Sequence, residues 1–458
     1  MSLKSWNTHN WQNIKLSLPI VIGALATIGI WTADIIAMGQ IDSVNLAAGS
    51  LANRYFQPFY FFALGVTLAV GPLVAQGLGS NDDRQIRRSL RQGLLIGVVL
   101  GILAAPLVML GEPVLNLLGQ DPALTSMTGG FLLWSAIGLP FIFIFFVLRQ
   151  YVVAHQRPLP QVIAMILGLG LNVLGNHVLV EGVGPFPKMG LTGIAISTTI
   201  VYVLICVGLL VWIGTTAPYK QSKPFQRLWV MDWAITWRLL KIGVPIGLTI
   251  LAETSMFVAI TFLIGLFGTA ALAAGAIANQ IAAVSFMVPI ALAQASSILV
   301  SNYAGANDRG NTQRSGWSAM SVGVGLTMMT TVILIVWPEF WIGFYLAEGD
   351  VLIDEVMLYA VPMVIIAGCF QIPDGMQAIA TSILRGLNDT KIPAVLGITS
   401  FWVIGVGSGA FAGLVLGWGP VAIWGGLVIG LCAAAIGLSW RTYQTMKRID
   451  RGGKILAA

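Results

Sequence analysis

The sequence predicts an all-α membrane protein, with twelve transmembrane helices in two six-helix lobes related by a pseudo-twofold axis along the membrane normal. Three observations carry this. Of the 458 residues, 57% are hydrophobic and only 9% charged, where soluble domains carry about a quarter charged residues. The apolar residues fall into twelve runs long enough to cross a bilayer. The first half of the chain also returns, position by position, in the second.

The mean hydropathy of +0.86 leaves too little polar surface for a soluble fold, so most of the surface faces lipid. Fifty-three glycines and 20 prolines suit membrane helices that pack closely and break locally. A net charge of +6 would suggest nucleic acid in a soluble protein. Here the placement of the charges explains it, and no nucleic-acid partner is expected. Cys206, Cys369 and Cys432 each sit alone in apolar runs, without disulfide or metal spacing, and read as small core residues. The start, MSLKSWNTHNWQNIKLSLPIV, is polar and enters a long apolar run without a cleavage site. It reads as a cytoplasmic start and first span, not a removed signal peptide.

The runs lie at 15–39, 46–77, 91–112, 124–152, 159–181, 190–214, 240–266, 271–303, 315–343, 353–384, 391–416 and 420–443. Several exceed what a core of about 30 Å requires, so tilt or protrusion is expected. Connections alternate sides. Lys4, Lys15, Arg84, Arg87, Arg88, Arg91, Arg149, Arg157 and the basic residues of 215–241, 309–314, 385–391 and 441–454 all fall on one set. Only Arg54 and Lys188 of the 24 fall on the other, which carries Asp42, Glu112, Asp121, Glu181, Glu339, Glu348, Asp350, Asp354 and Glu355. The positive-inside rule then puts both termini in the cytoplasm.

The only long polar connection is 215–239. Trp229, Trp233 and Trp237 recur in it at helical spacing, which predicts an interfacial helix with an aromatic belt. The domain division is therefore an N-terminal lobe 1–214, a cytoplasmic linker 215–239, and a C-terminal lobe with its tail 240–458.

At a shift of 226 the halves align without a gap from about residue 15 to 82. Lys15 falls on Lys241, Pro19 on Pro245, Asn53 on Asn279, and Asn81-Asp82 on Asn307-Asp308. At 233, Pro140 falls on Pro373 and Pro160 on Pro393. Each half has an even number of spans, so the repeats are parallel. In such architectures the substrate site usually lies between the halves, and access alternates as they rock.

Three acids sit inside apolar runs: Asp34, Glu253 and Asp374. An acid at mid-span costs on the order of 3 kcal/mol by insertion scales. Glu253 lies 12 residues past Lys241 and Asp374 lies 11 before Arg385, so both sit roughly 17–18 Å in, at one level. They can share one ion. Asp34 and Asn176 each lie 19 residues from their inside-end bases, Lys15 and Arg157, and Asn172 shares a helix face with Asn176. A second polar site in the first half is expected, although interhelical hydrogen bonding explains the asparagines equally well. Burial disfavours an isolated carboxylate, which a proton, Na+ or a cationic substrate can neutralise. Mutually exclusive occupancy would couple their fluxes. No GxxxxGK[ST] motif is present and no cytoplasmic segment is long enough for a nucleotide-binding domain.

The acids do not share the repeat. Asp34 faces Ile260 and Glu253 faces Thr27 at the first shift, and Asp374 faces Phe141 at the second.

The stretches LSLPIVIGALATIGIWTADIIAMGQ, FALGVTLAVGPLVAQGLGSND, LNVLGNHVLVEG, LLKIGVPIGLTILAETSMF and IPDGMQAIATSILRGLNDTKIPA together resemble the multidrug and toxic compound extrusion (MATE) family, NorM-type branch. The resemblance implies two six-helix lobes, V-shaped when outward-open, and Na+- or H+-driven efflux of bulky, often cationic, organic compounds. It puts the family's second-half cation site on Glu253 and Asp374, with Na+ as candidate ion, and its first-half acid on Asp34. Some relatives carry a second acid where this chain has Asn176, one turn past Asn172. That departure argues against a proton-only mechanism in the first half.

The expected function is thus a secondary active multidrug antiporter without cofactor, coupled to Na+ and/or H+, in a bacterial-type inner membrane. Nothing demands more than a monomer. The alternative is a flippase for a lipid-linked or polysaccharide precursor, which calls for basic residues inside the spans; Arg54 is the clearest. An enzyme would need a nucleophile–base or metal constellation, and His9 and His155 fall at cytoplasmic positions and His177 at an outer end.

Overall fold

The computed structural model describes residues 3–346 and 353–457, with side chains from residue 6 onward. Glu348, Asp350 and the Lys4 side chain lie outside that description. The described residues form twelve helices long and apolar enough to span a membrane: α1 (Trp6–Ile41), α2 (Ser43–Gly79), α3 (Asp83–Met109), α4 (Pro122–Ala154), α5 (Leu159–Glu181), α6 (Gly190–Thr215), α7 (Trp233–Gly265), α8 (Thr269–Gly305), α9 (Arg309–Val336), α10 (Ile353–Gly386), α11 (Lys391–Val415) and α12 (Pro420–Asp450). The all-α class and the count agree with the sequence. The run 315–343 overshoots, because α9 stops ahead of Trp337 and a short helix, Pro338–Gly343, follows. A residue before proline is pushed out of the helical region.

Part of the repeat is turn chemistry. Asn81 and Asn307 adopt left-handed φ of 55° and 57°, a conformation asparagine tolerates better than most residues. The Asp after each then caps the next helix: Asp82 Oδ1 accepts from Gln85 N at 3.0 Å, and Asp308 Oδ1 from Asn311 N at 3.0 Å. The Asn-Asp pair ends one helix and starts the next in both halves.

Two compact units are present. One holds Pro19–Gly247; the other holds the chain up to Leu18 and everything from Leu248 on. This cut differs from the expected 1–214, 215–239 and 240–458. The start of α1 bonds to second-half residues. Asn13 Nδ2 donates to Ser318 Oγ at 3.3 Å, Ser318 Oγ to Asn10 Oδ1 at 2.6 Å, and Tyr303 to Gln12 Oε1 at 3.0 Å. The start of α7 bonds to first-half residues. Arg88 pairs with Asp232, and Thr236 Oγ1 donates to Gln92 Oε1 at 2.9 Å. Gly243 and Gly247 lie against the backbone of Val66 and Phe62, too close for any Cβ.

The 215–239 connection does not form the expected interfacial helix. It has a 3₁₀ turn at Tyr219–Ser222, then further turns. Trp229 lies in one of these, two residues after Arg227 at φ +56°. Only Trp233 and Trp237 are helical, in the first turns of α7, which Asp232 caps. All three tryptophans are exposed.

In the first unit, Phe143, Phe145, Phe146 and Tyr151 of α4 and Tyr202 of α6 are fully buried. In the second, Phe370, Phe401 and Trp424 are, and Trp424 Nε1 donates to Met363 O at 2.9 Å. Helix α11 is widened by π turns over Thr399–Val406 and Phe411–Val415. Its Gly405 and Gly409 meet Gly430 and Gly426 of α12 backbone to backbone.

Candidate functional site

The first-half acid lies in the first unit. Asp34 of α1 is buried, and its carboxylate collects three neutral donors from two other helices. Asn172 and Asn176 of α5 donate to Oδ1 at 3.1 and 2.8 Å, and Thr198 of α6 donates to Oδ2 at 2.9 Å. Asn172 Nδ2 also reaches Thr198 Oγ1 at 2.9 Å. The helix spacing that put both asparagines on one face of α5 thus aims both amides at one acid. Thr198 was not foreseen: it stands among Ser197 and Thr199, and spacing along one helix does not show which hydroxyl reaches a distant acid. Among the described residues the carboxylate has donors but no ion-paired base, so its charge is buried without a counter-charge.

The second-half acids lie together in the other unit. Glu253 of α7 and Asp374 of α10 both accept from the Gln377 side-chain amide, with Nε2 at 2.9 Å from Glu253 Oε1 and 3.1 Å from Asp374 Oδ1. One NH₂ group spends its two hydrogens on two acids. Among the described residues no other donor reaches either carboxylate. Gln377 follows Asp374 by one helical turn, a spacing visible in the sequence; its bond to α7 is not. Asp374 is 4% exposed, so an unneutralised pair would be costly. The carboxylates and the Gln377 carbonyl are hard oxygen donors of the kind hard metal cations take. Among the described residues, His, Cys, Asp and Glu form no group of three or more suited to a metal ion.

Helix α11 bonds to α7 beside Glu253. Trp402 Nε1 donates to the carbonyl of the adjacent Ala252 at 3.1 Å. Two residues counted as inside-end charges, Arg149 and Arg385, are buried at 9% and 8% exposure. His177, expected at an outer end, is exposed and lies 3.3 Å from Glu181.

Against known proteins, the sequence model of the MatE family matches residues 19–178 and 245–411. Both segments begin at the prolines that open the repeat. The chain is 36% identical over 444 residues to the "Probable multidrug resistance protein NorM" of Agrobacterium fabrum, covering 97% of this chain and 96% of that one. It is 34% identical over 446 residues to the protein of the same name from Rhizobium meliloti, covering 97% and 96%. Among solved structures, a eukaryotic MATE transporter superposes with a TM-score of 0.87 at 17% identity, covering 98% of each chain. A MOP superfamily transporter from Pyrococcus furiosus superposes at 0.85 and 17%, covering 96% and 97%. At that identity the two structures show the fold.

Proposed function

The chain belongs to the MatE family, a family of transporters rather than enzymes, and from that premise we propose that it is a secondary active multidrug efflux antiporter. It exports organic, often cationic, compounds in exchange for Na+ and/or H+ by alternating access. The curated relatives are named as multidrug resistance proteins, which supports the substrate class. The observation that carries the coupling is the amide bridge: Glu253 and Asp374 share the hydrogens of Gln377 and, among the described residues, have no other donor.

Two carboxylates inside spanning helices need a positive charge to be stable there. A cation or proton between them satisfies that need, and its departure raises the cost of the empty state. Coupling follows if substrate and cation favour different states of the protein. Asp34, with Asn172, Asn176 and Thr198, serves as a second proton, cation or substrate site in the first half. The near-exclusive placement of Lys and Arg on one set of connections supports cytoplasmic termini in a bacterial inner membrane.

The test is reconstitution in liposomes, with efflux of a fluorescent organic cation followed under an imposed Na+ or H+ gradient. Glu253→Gln and Asp374→Asn should each lose most gradient-driven efflux. Undiminished driven efflux in both variants would remove this pair as the coupling site.

A further inference from the structure

Below the acid pair, α10 carries a buried cation with no partner of its own. Arg385 is 8% exposed. Its guanidinium donates no hydrogen bond to any described residue, and its Nε is sealed from solvent. The acid nearest it along the chain end, Asp389, is already taken by Arg441 Nε at 2.8 Å. The remaining acid whose field Arg385 feels is Glu253, with which it interacts electrostatically.

The helix geometry accounts for this. Asp374, Gln377, Thr381 and Arg385 recur at spacings of three and four and therefore share one face of α10. Side chains on a helix lean toward its N-terminus, which on this face is the direction of the acids. Thr381, one turn before it, has a buried hydroxyl with no partner. The face thus runs from a carboxylate pair, past a free hydroxyl, to an unpartnered guanidinium. A buried arginine without a bonded counter-charge is expensive. The opposite charge that bears on it is that of Glu253.

We propose that Arg385 is a fixed internal cation that sets how many cations the Glu253/Asp374 pair takes and how firmly it holds them. The count is simple: two carboxylates and one guanidinium leave one negative charge, so one monovalent cation completes the site. Without the arginine the pair would hold its cation more tightly and let it go more slowly. Arg385 touches neither cargo nor coupling ion; it is a positioning residue acting through Glu253. The inference rests on the coupling role proposed above for the pair.

The experiment uses full-length protein in liposomes, with rhodamine 6G efflux driven by graded Na+ (NaCl alone, at fixed pH) or by graded pH. A wild type driven by neither gradient sinks the coupling reading, and this inference with it. If the wild type is driven, Arg385→Gln should half-saturate at a driving-cation concentration lower by about tenfold, the effect of removing one unit charge from the vicinity, with slower turnover. Arg385→Lys, which keeps the charge, should return near the wild-type value. A merely structural role would weaken cation binding in Arg385→Gln instead. An unchanged or raised half-saturation in that variant overturns the proposal. Should Arg385→Gln fail to insert, the wild type still decides: a Hill coefficient near one for the driving cation supports a single cation, and a value near two overturns it.

Discussion

Asn176 and Asp34 stand 142 positions apart in the chain and are joined by a 2.8 Å hydrogen bond. Asn176 Nδ2 donates to the same carboxylate oxygen that Asn172 reaches at 3.1 Å. Two successive turns of α5 are thereby fastened to one acid of α1. An amide can donate to a carboxylate at any pH, which a second carboxylate in its place could do only when protonated.

Asn176→Leu should therefore destabilise the purified protein by about 1–3 kcal/mol, the range for a lost bond to a charged, buried group. Thermal unfolding in detergent measures it. Adding Asp34→Asn should cost less than the sum of the single changes, because the two share one interaction. An Asn176→Leu protein as stable as wild type would mean the bond contributes nothing.

Gln377→Leu deprives both second-half acids of the only donor they have among the described residues. The empty, cation-free state becomes the costlier one, so the return step of the cycle slows. Turnover of gradient-driven dye efflux should drop by about tenfold or more, the equivalent of roughly 1.5–3 kcal/mol for bonds to charged groups. Wild-type turnover in this variant would show that the amide bridge has no part in transport.

The crossing of α11 and α12 offers a contrast between neighbours. A Cβ on Gly426 would lie 2.5 Å from the Gly409 Cα, whereas one on Gly425 meets nothing within 4 Å. Gly426→Ala should destabilise by about 1–3 kcal/mol through forced backbone shifts. Gly425→Ala should be neutral or stabilising by up to about 1 kcal/mol, since alanine is the better helix former. Equal melting temperatures for the two variants would contradict the packing described.

His155, just past the end of α4, gives a pH dependence. Its ring lies against Tyr151 and Tyr219, and its Nδ1 is 2.8 Å from the Tyr151 carbonyl. Burial holds its pKa below the ordinary value of 6.5, the neighbouring Arg157 adding to the effect. The unfolded chain therefore takes up the proton more readily than the folded one. This contribution to stability is complete above about pH 6.5 and is lost as pH falls below it. Between about pH 7.5 and 5.5 the wild type should lose more thermal stability than His155→Gln, which cannot titrate. Parallel losses would assign the pH dependence to other groups.

The frame and the acids of both sites were legible in the sequence, because lipid enforces long apolar runs and makes each interruption conspicuous. Asp34, Glu253 and Asp374 stood out for that reason, and helical spacing brought Asn172 and Asn176 with them. Thr198 and Gln377 did not stand out. Threonine and glutamine occur in spanning helices for many local reasons: the hydroxyls of Thr254 and Thr261 merely bond their own helix, at 2.9 and 2.8 Å. Only the crossing of helices selects the ones that matter. Trp229 misled in the opposite sense. Its spacing from Trp233 is helical, but the left-handed Arg227 and the Asp232 cap place the helix start between them. Arg385 looked like an end charge because position along a run says nothing about which neighbours cover it.

The exchange of helix starts between the two units bears on how the chain is made. His9, Asn10 and Asn13 find partners at Asn311, Ser315 and Ser318, some 302–308 positions later. At synthesis rates of about 5–20 residues per second, those groups wait roughly 15–60 s for the residues that satisfy them. The first unit is likewise incomplete until Gly247 has been made. Neither half can be finished alone, so a chain cut in the 215–239 connection leaves two fragments that each carry a segment belonging to the other unit. The arrival of α8 and α9, which carry Tyr303 and the partners at 311–318, closes what the first eighteen residues left open.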